Sequence, residues 1–153
     1  MKKHILKGVS ILTLLVAVAF VTAVAPAKGQ SVALRANVPF EFSVGDKPLA
    51  SGVYRVTRIS HDAMTIAGRE DSAIRLSIAI ESNKVQEQGK LVFHRYGENY
   101  FLAEVWTAGD KTGRKLLKSK QERRIEEQLA RTFSKSELAQ SAYEVVEIVA
   151  MVR

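Results

Sequence analysis

The stretch Val32-Ala33-Leu34-Arg35-Ala36-Asn37-Val38-Pro39-Phe40-Glu41-Phe42-Ser43-Val44 is apolar at every second position: Val32, Leu34, Ala36, Val38, Phe40, Phe42 and Val44. A period of two belongs to a β-strand with one wet face, because successive side chains leave a strand on opposite sides. The intervening residues are mostly polar, so a one-residue slip would exchange the core face for the wet one, and the register is strongly fixed. Burying seven such side chains stabilises the fold by roughly 10 kcal/mol gross at ~1.5 kcal/mol each, an upper bound because the unfolded chain already hides some of this surface. The rest of the chain must cover this face.

Upstream, Lys2, Lys3 and Lys7 precede an uncharged apolar run from Val9 to Ala25 that ends in Ala25-Pro26-Ala27. A basic start, an apolar centre and a small-residue end describe a secretory signal peptide, expected over residues 1–27 with cleavage before Lys28; an uncleaved single-span anchor is the alternative. The remaining 126 of 153 residues suffice for one β-domain, 28–153. Loss of three lysines and no acid lowers the net charge from +7 to +4, short of a nucleic-acid-binding signature. With no cysteine, the chain has no disulfide, thiolate metal site, cysteine nucleophile or lipid-modified cysteine. The expected location is secreted, periplasmic or extracellular, with no stable membrane span after cleavage.

Downstream, residues 45–52 combine Gly45, Asp46, Pro48 and Gly52 and read as a loop. Val53–Ile59 and Met64–Ile66 form an expected hairpin. A second alternation follows, in which Ile74, Leu76, Ile78 and Ile80 are expected inside and Arg75, Ser77 and Glu81 outside. Gly97-Glu98 marks a two-residue turn between a strand ending at Tyr96 and one over Tyr100–Thr107, and Arg114–Leu117 is a weaker strand. The period then changes to 3.6. Ser119-Lys120-Gln121-Glu122 fits a capping box opening a helix from Lys120 to Phe133, with Ile125, Leu129 and Phe133 on its docking stripe and Glu127–Arg131 as an (i, i+4) pair. A second box, Ser134 to Glu137, starts a short helical turn. The closing strand, Tyr143–Val152, is apolar on both faces and is expected to be central or covered, paired with the first strand. The whole predicts an all-β, mainly antiparallel domain of about eight strands, a sandwich or a flattened barrel with the sandwich favoured, and one α-helix before the last strand.

Chemistry is sparse. His61 beside Asp62 is ordinary turn composition rather than a metal site, which needs three or four ligands, and His94 reads as a sheet-face histidine. Glu41, Glu98 and Glu104 could be paired as glycosidase carboxylates, but any chain with 16 acids offers such pairs. No nucleophile elbow occurs, so no enzyme, cofactor or metal is expected. The candidate ligand-binding residues are Tyr96, Tyr100 and Trp106, near Phe101, with Tyr100 and Trp106 expected on one strand face with Leu102 and Glu104. The candidate basic surface is Lys111, Arg114, Lys115, Lys118, Lys120, Arg123 and Arg124, suited to weak, salt-sensitive adhesion to anionic envelope polymers.

Asn37-Val38-Pro39-Phe40-Glu41-Phe42-Ser43-Val44-Gly45, followed by Gly52-Val53-Tyr54-Arg55-Val56, resembles a group of small secreted proteins of soil bacteria with the pattern V-P-F-x-F-x-V-G, a Leu-Pro-Ala-Gly turn and a Tyr-x-Val strand. The blocks from Arg95 to Trp106 and from Gly113 to Ser119 are similar as well. The chain departs at Pro48-Leu49-Ala50-Ser51-Gly52, where the proline precedes the leucine. The resemblance implies a secreted β-domain without an assigned activity and transfers no site residue. The function expected from the whole is a non-enzymatic binding or structural protein of the bacterial cell envelope, with a polymer or protein partner and no nucleic acid. A small-ligand carrier with a barrel lumen is the alternative.

Overall fold

Ten strands and one helix make up the structure, a computed structural model that describes residues 33–132 and 143–152. The signal peptide, Val32, Phe133 and the second capping box lie outside the described residues. The strands are β1 (Ala33–Val38), β2 (Phe42–Val44), β3 (Lys47–Leu49), β4 (Gly52–Arg58), β5 (Ala63–Ala67), β6 (Ser72–Glu81), β7 (Gly89–Tyr96), β8 (Asn99–Trp106), β9 (Thr112–Leu116) and β10 (Glu144–Val152); the helix, α1 (Lys120–Thr132), precedes β10. Eight strands run in the order β8-β7-β10-β1-β4-β5-β6-β9, and β9 pairs back onto β8. That last pairing closes a barrel, so the sheet is the flattened barrel rather than the sandwich. All eight neighbouring pairs are antiparallel.

The deciding stretch keeps its apolar face but not its continuity. Leu34, Ala36, Val38, Phe42 and Val44 are all buried. Pro39 has no N–H to donate to a ladder, and the strand stops there. Phe40 stays half-buried, stacked on Tyr100 with ring centroids 4.0 Å apart. The chain resumes as β2, which leaves β1 to lie parallel to β8 at Ser43↔Phe101. The expected loop after it is a hairpin: Gly45 has φ +65°, Asp46 completes the turn, and β3 pairs with β2. Pro48 on β3, the last strand of the sheet, blunts that edge against further pairing. Phe42 meets Tyr54 and Phe93 edge-on at 5.0 and 5.3 Å, so the hairpin contributes Phe42, Val44 and Leu49 to the same core as Val56, Ile66, Leu91 and Leu116.

Two faces differ from the expectation. On β6, Ala73 and Ser77 are buried and Arg75 is half-buried, while Ile74, Leu76 and Ile78 are 67%, 57% and 51% exposed. The inner face is the small and polar one because its polar groups have partners there. Arg75 donates to the carbonyls of Leu117 and Lys118, each at 3.0 Å, and Ser77 accepts from Arg114. On β8, the register passes from Val92↔Glu104 to Phe93↔Leu102, which leaves Ala103 as the extra residue of a β-bulge. Parity changes across it. Tyr100 and Leu102 fall on the inner side with Phe93, whereas Glu104 and Trp106 lie outside with Val92 and Lys90.

β10 is central, between β7 and β1, as expected for its pairing. It is covered on one face only: Ala150 is buried, while Val145, Val149 and Met151 remain exposed on the other. Among the described residues no helix is long and apolar enough to cross a membrane.

Candidate functional site

The helix is attached to the outside of the barrel by polar groups. Ser119 caps it, its Oγ accepting from the amide of Glu122 at 2.9 Å, and Asp46 Oδ1 accepts from the amide of Lys120 at 3.1 Å. The Glu122 carboxylate turns away from the reciprocal capping bond toward the outer face of β7: Oε1 lies 3.1 Å from His94 Nδ1 and accepts from the Tyr96 hydroxyl at 3.3 Å. One turn on, Glu126 accepts from the same hydroxyl at 2.7 Å and from Lys118 Nζ. Tyr143 stacks on His94 at 3.9 Å, beneath Lys118. His94 is therefore the sheet-face histidine its spacing predicts, and it is buried with Glu122.

Burial pushes the Tyr96 hydroxyl strongly upward from its ordinary pKa, and the two carboxylates add to that. Burial also pushes Glu126 upward, but Lys118 and the Tyr96 hydroxyl outweigh it and hold the carboxyl below its usual range. The tyrosine is thus neutral and donating, and the carboxylate ionised. Ile125 and Leu129 are half-buried on the same side, so the docking stripe mixes apolar and acidic groups.

With two of its three acids turned inward, α1 shows solvent mostly cations, with Glu127 the exposed acid. Lys120, Arg123 and Arg124 are exposed and have no side-chain partner among the described residues, as does Lys111 before β9. Glu127 and Arg131 do not form the expected pair. The rest of the expected basic surface is divided. Lys115 is half-buried on the outer face opposite Glu104, and Lys118 is taken up by Glu126. Arg114 is not on the surface: it is 8% exposed and donates to Ser77 Oγ at 3.3 Å, Ser77 O at 3.1 Å and His61 O, which satisfies a guanidinium at the inner side of β9.

The three aromatic candidates are placed in three environments. Tyr96 lies beneath α1; Tyr100 packs on Phe40, with Arg95 5.4 Å from its ring. Trp106 is buried on the outside, over Gly113, where an added Cβ would stand 2.5 Å from its Cε3, and its Nε1 donates to Glu104 at 2.9 Å. The acids do not pair for hydrolysis: Glu104 holds Trp106, Glu98 is exposed 4.0 Å from Arg95, and Glu41 is exposed. His61 is exposed, 3.7 Å from Asp62. Among the described residues no group of three His, Cys, Asp or Glu converges on a metal-sized site.

A second feature went unread in the sequence. Arg35 on β1 stands directly opposite Arg55 on β4, at the outer face. Both line a recess of about 800 Å³ together with Arg69, Glu70 and Asp71 of the β5–β6 turn, Ala50 and Ser51 before β4, and Gly52 at its start. The alternation placed both arginines outside, but only the β1–β4 pairing makes them neighbours.

No family model, curated protein or solved structure matches this chain.

Proposed function

We propose that the chain is a secreted, non-enzymatic β-barrel of the bacterial cell envelope, and that it works by binding anionic envelope polymer on its outer surface. The observation that carries this reading is the uneven division of charge on α1: Glu122 and Glu126 face the barrel, while Lys120, Arg123, Arg124 and Arg131 face solvent with Glu127 as the one exposed acid of the helix, and Lys120, Arg123 and Arg124 have no acid partner among the described residues. A helix held by a buried network presents its cations at fixed positions, and exposed cations attract a polyanion through a field that salt screens within about 10 Å at 0.1 M. The basic, uncharged and small-residue segments at 2–27 support export, and the resemblance to small secreted proteins agrees with it. The contiguous apolar cluster occupies the positions that would line a lumen, which weighs against the carrier.

The test is retention on polygalacturonate coupled to agarose, against plain agarose, across a salt gradient. Retention on the charged matrix alone, lost at high salt and reduced several-fold in the K120A/R123A/R124A variant, supports the reading. Equal retention of that variant, or binding to plain agarose, sinks it.

A further inference from the structure

The recess over β1, β4 and β5 holds a pair of like charges that the fold does not explain. Arg35 and Arg55 are direct cross-strand partners, and like charges in that position oppose sheet formation. Both are exposed, and neither they nor Arg69 makes a hydrogen bond or ion pair among the described residues. The acids nearby do not relieve them. Asp71 is engaged by Lys47 at 3.7 Å, and Glu70 lines the same recess yet pairs with none of the three. Two arginines on directly paired residues, both lining the recess and left unneutralised, offer planar forks suited to oxyanions.

We propose that this recess is a binding site for an oxyanion, a carboxylate or phosphate group, carried by a small polar ligand. Arg35 and Arg55 grip the anion, and Arg69 reaches it from the turn above. The volume, about 800 Å³, lies within the range of discrete ligand sites. The lining supports a polar body: besides the charges it offers Ser51, Gly52 and Gly68, its aliphatic members, Ala50, Val53 and Ala67, are small, and its one aromatic, Tyr54, donates its hydroxyl to Ala50 O at 2.7 Å. Glu70 at the same recess disfavours ligands of high negative charge density, so a monoanion is preferred. The site shares no residue with α1 and does not depend on the helix-face reading.

The experiment is calorimetric titration of the purified full chain with two probes, inorganic phosphate and galacturonate, into wild type and into R35A, R55A, R55K, E70Q and K120A/R123A/R124A. Binding of either probe with a dissociation constant of about 1 mM or tighter is expected, weakened about tenfold in R35A and in R55A. R55K, which keeps the charge and loses the fork, is expected to weaken binding nearly as much, E70Q to strengthen it, and the helix variant to leave it unchanged. The probe that binds identifies the source, phosphate or sugar carboxylate. In the free protein, R35A and R55A hold or raise the unfolding temperature, because each removes a repulsion. Failure of both probes to bind wild type, or wild-type affinity in R35A and R55A, overturns the site. Loss of binding in the helix variant with R35A and R55A unaffected moves the anion to α1 and overturns it too.

Discussion

Tyr96→Phe isolates what holds α1 to the barrel. The hydroxyl donates to Glu126 at 2.7 Å and to Glu122 at 3.3 Å, and it is the only group lost. Phenylalanine keeps the ring contacts with Phe101 at 5.8 Å and Tyr143 at 5.6 Å. A hydrogen bond to a charged acceptor contributes about 1.5–3 kcal/mol. The two bonds do not sum, because the longer is weak and each carboxylate keeps another partner, His94 or Lys118. The expected loss is about 2 kcal/mol, or roughly 10 °C in Tm for a domain of this size. A second signature is local. The Glu126 carboxyl, held below its ordinary value of 4.5 with this hydroxyl's help, should titrate higher in the variant when followed by carboxyl-carbon NMR. A carboxyl depressed in the folded state contributes stability that is full above its unfolded pKa and is lost as pH falls through its folded pKa. The stability gap between wild type and Y96F therefore narrows on acidification below about 4.5. Hydrogen exchange should speed in α1 and not in β1 or β4. An unchanged Tm together with an unchanged Glu126 titration would refute the account.

Gly113→Ala sets a methyl group 2.5 Å from the Trp106 ring and should cost about 1–3 kcal/mol, with red-shifted tryptophan fluorescence as the ring leaves Glu104; an unshifted spectrum contradicts the packing. Leu76→Thr, on the exposed face of β6, should change stability by no more than about 0.5 kcal/mol, whereas Ile66→Ala, fully buried, should lose about 2–5 kcal/mol in the same denaturant titration. At alkaline pH, Tyr96, pushed strongly upward by burial, should ionise only on unfolding, and Tyr54, raised by burial and by Asp71, should ionise above the usual tyrosine range. An acid whose pKa is raised in the folded state lowers stability as pH climbs past its unfolded value, about 10 for tyrosine, so phenolate absorbance should show a late, cooperative step; simple titration of all four tyrosines contradicts this.

Much of the fold was legible because strands with one apolar face announce their register. β1, β4 and β5 bury the residues their alternation selects, Gly97 turns where Gly-X predicts, and Ser119 caps the helix. The β2–β3 hairpin carried the same Gly-X signal at Gly45-Asp46, flanked by Val44 and Lys47, but Pro48 hid it. The bulge at Ala103 left no local mark, since an inserted residue is visible only against a partner strand, and with it went the shared face of Tyr100 and Trp106. The site was less legible for the same reason. Arg35 and Arg55 are twenty residues apart and become neighbours through pairing alone.

The inversion of β6 shows where hydropathy stops deciding. Its two faces are Ile74, Leu76 and Ile78 against Ala73, Arg75 and Ser77, and transfer energies alone bury the first set, at about 1.5–3 kcal/mol for each large side chain. Pairing restricts that choice. Ala73 lies opposite Ile66 and Ser77 opposite Leu116, both buried, so reversing β6 would have to reverse its neighbours or break both ladders. The chosen register also completes the polar accounts of the interior: the Ser77 amide donates to Asp62 O at 2.8 Å, its hydroxyl and carbonyl accept from Arg114, and Arg75 joins β6 to the segment leading into α1. A buried arginine left without these acceptors would cost several kcal/mol, comparable to the burial forgone on the isoleucine face. The barrel thus closes through β6 and β9 with a hydrogen-bonded seam inside and an apolar strip outside, and that same closure sets the origin of α1, whose outward cations carry the proposed function.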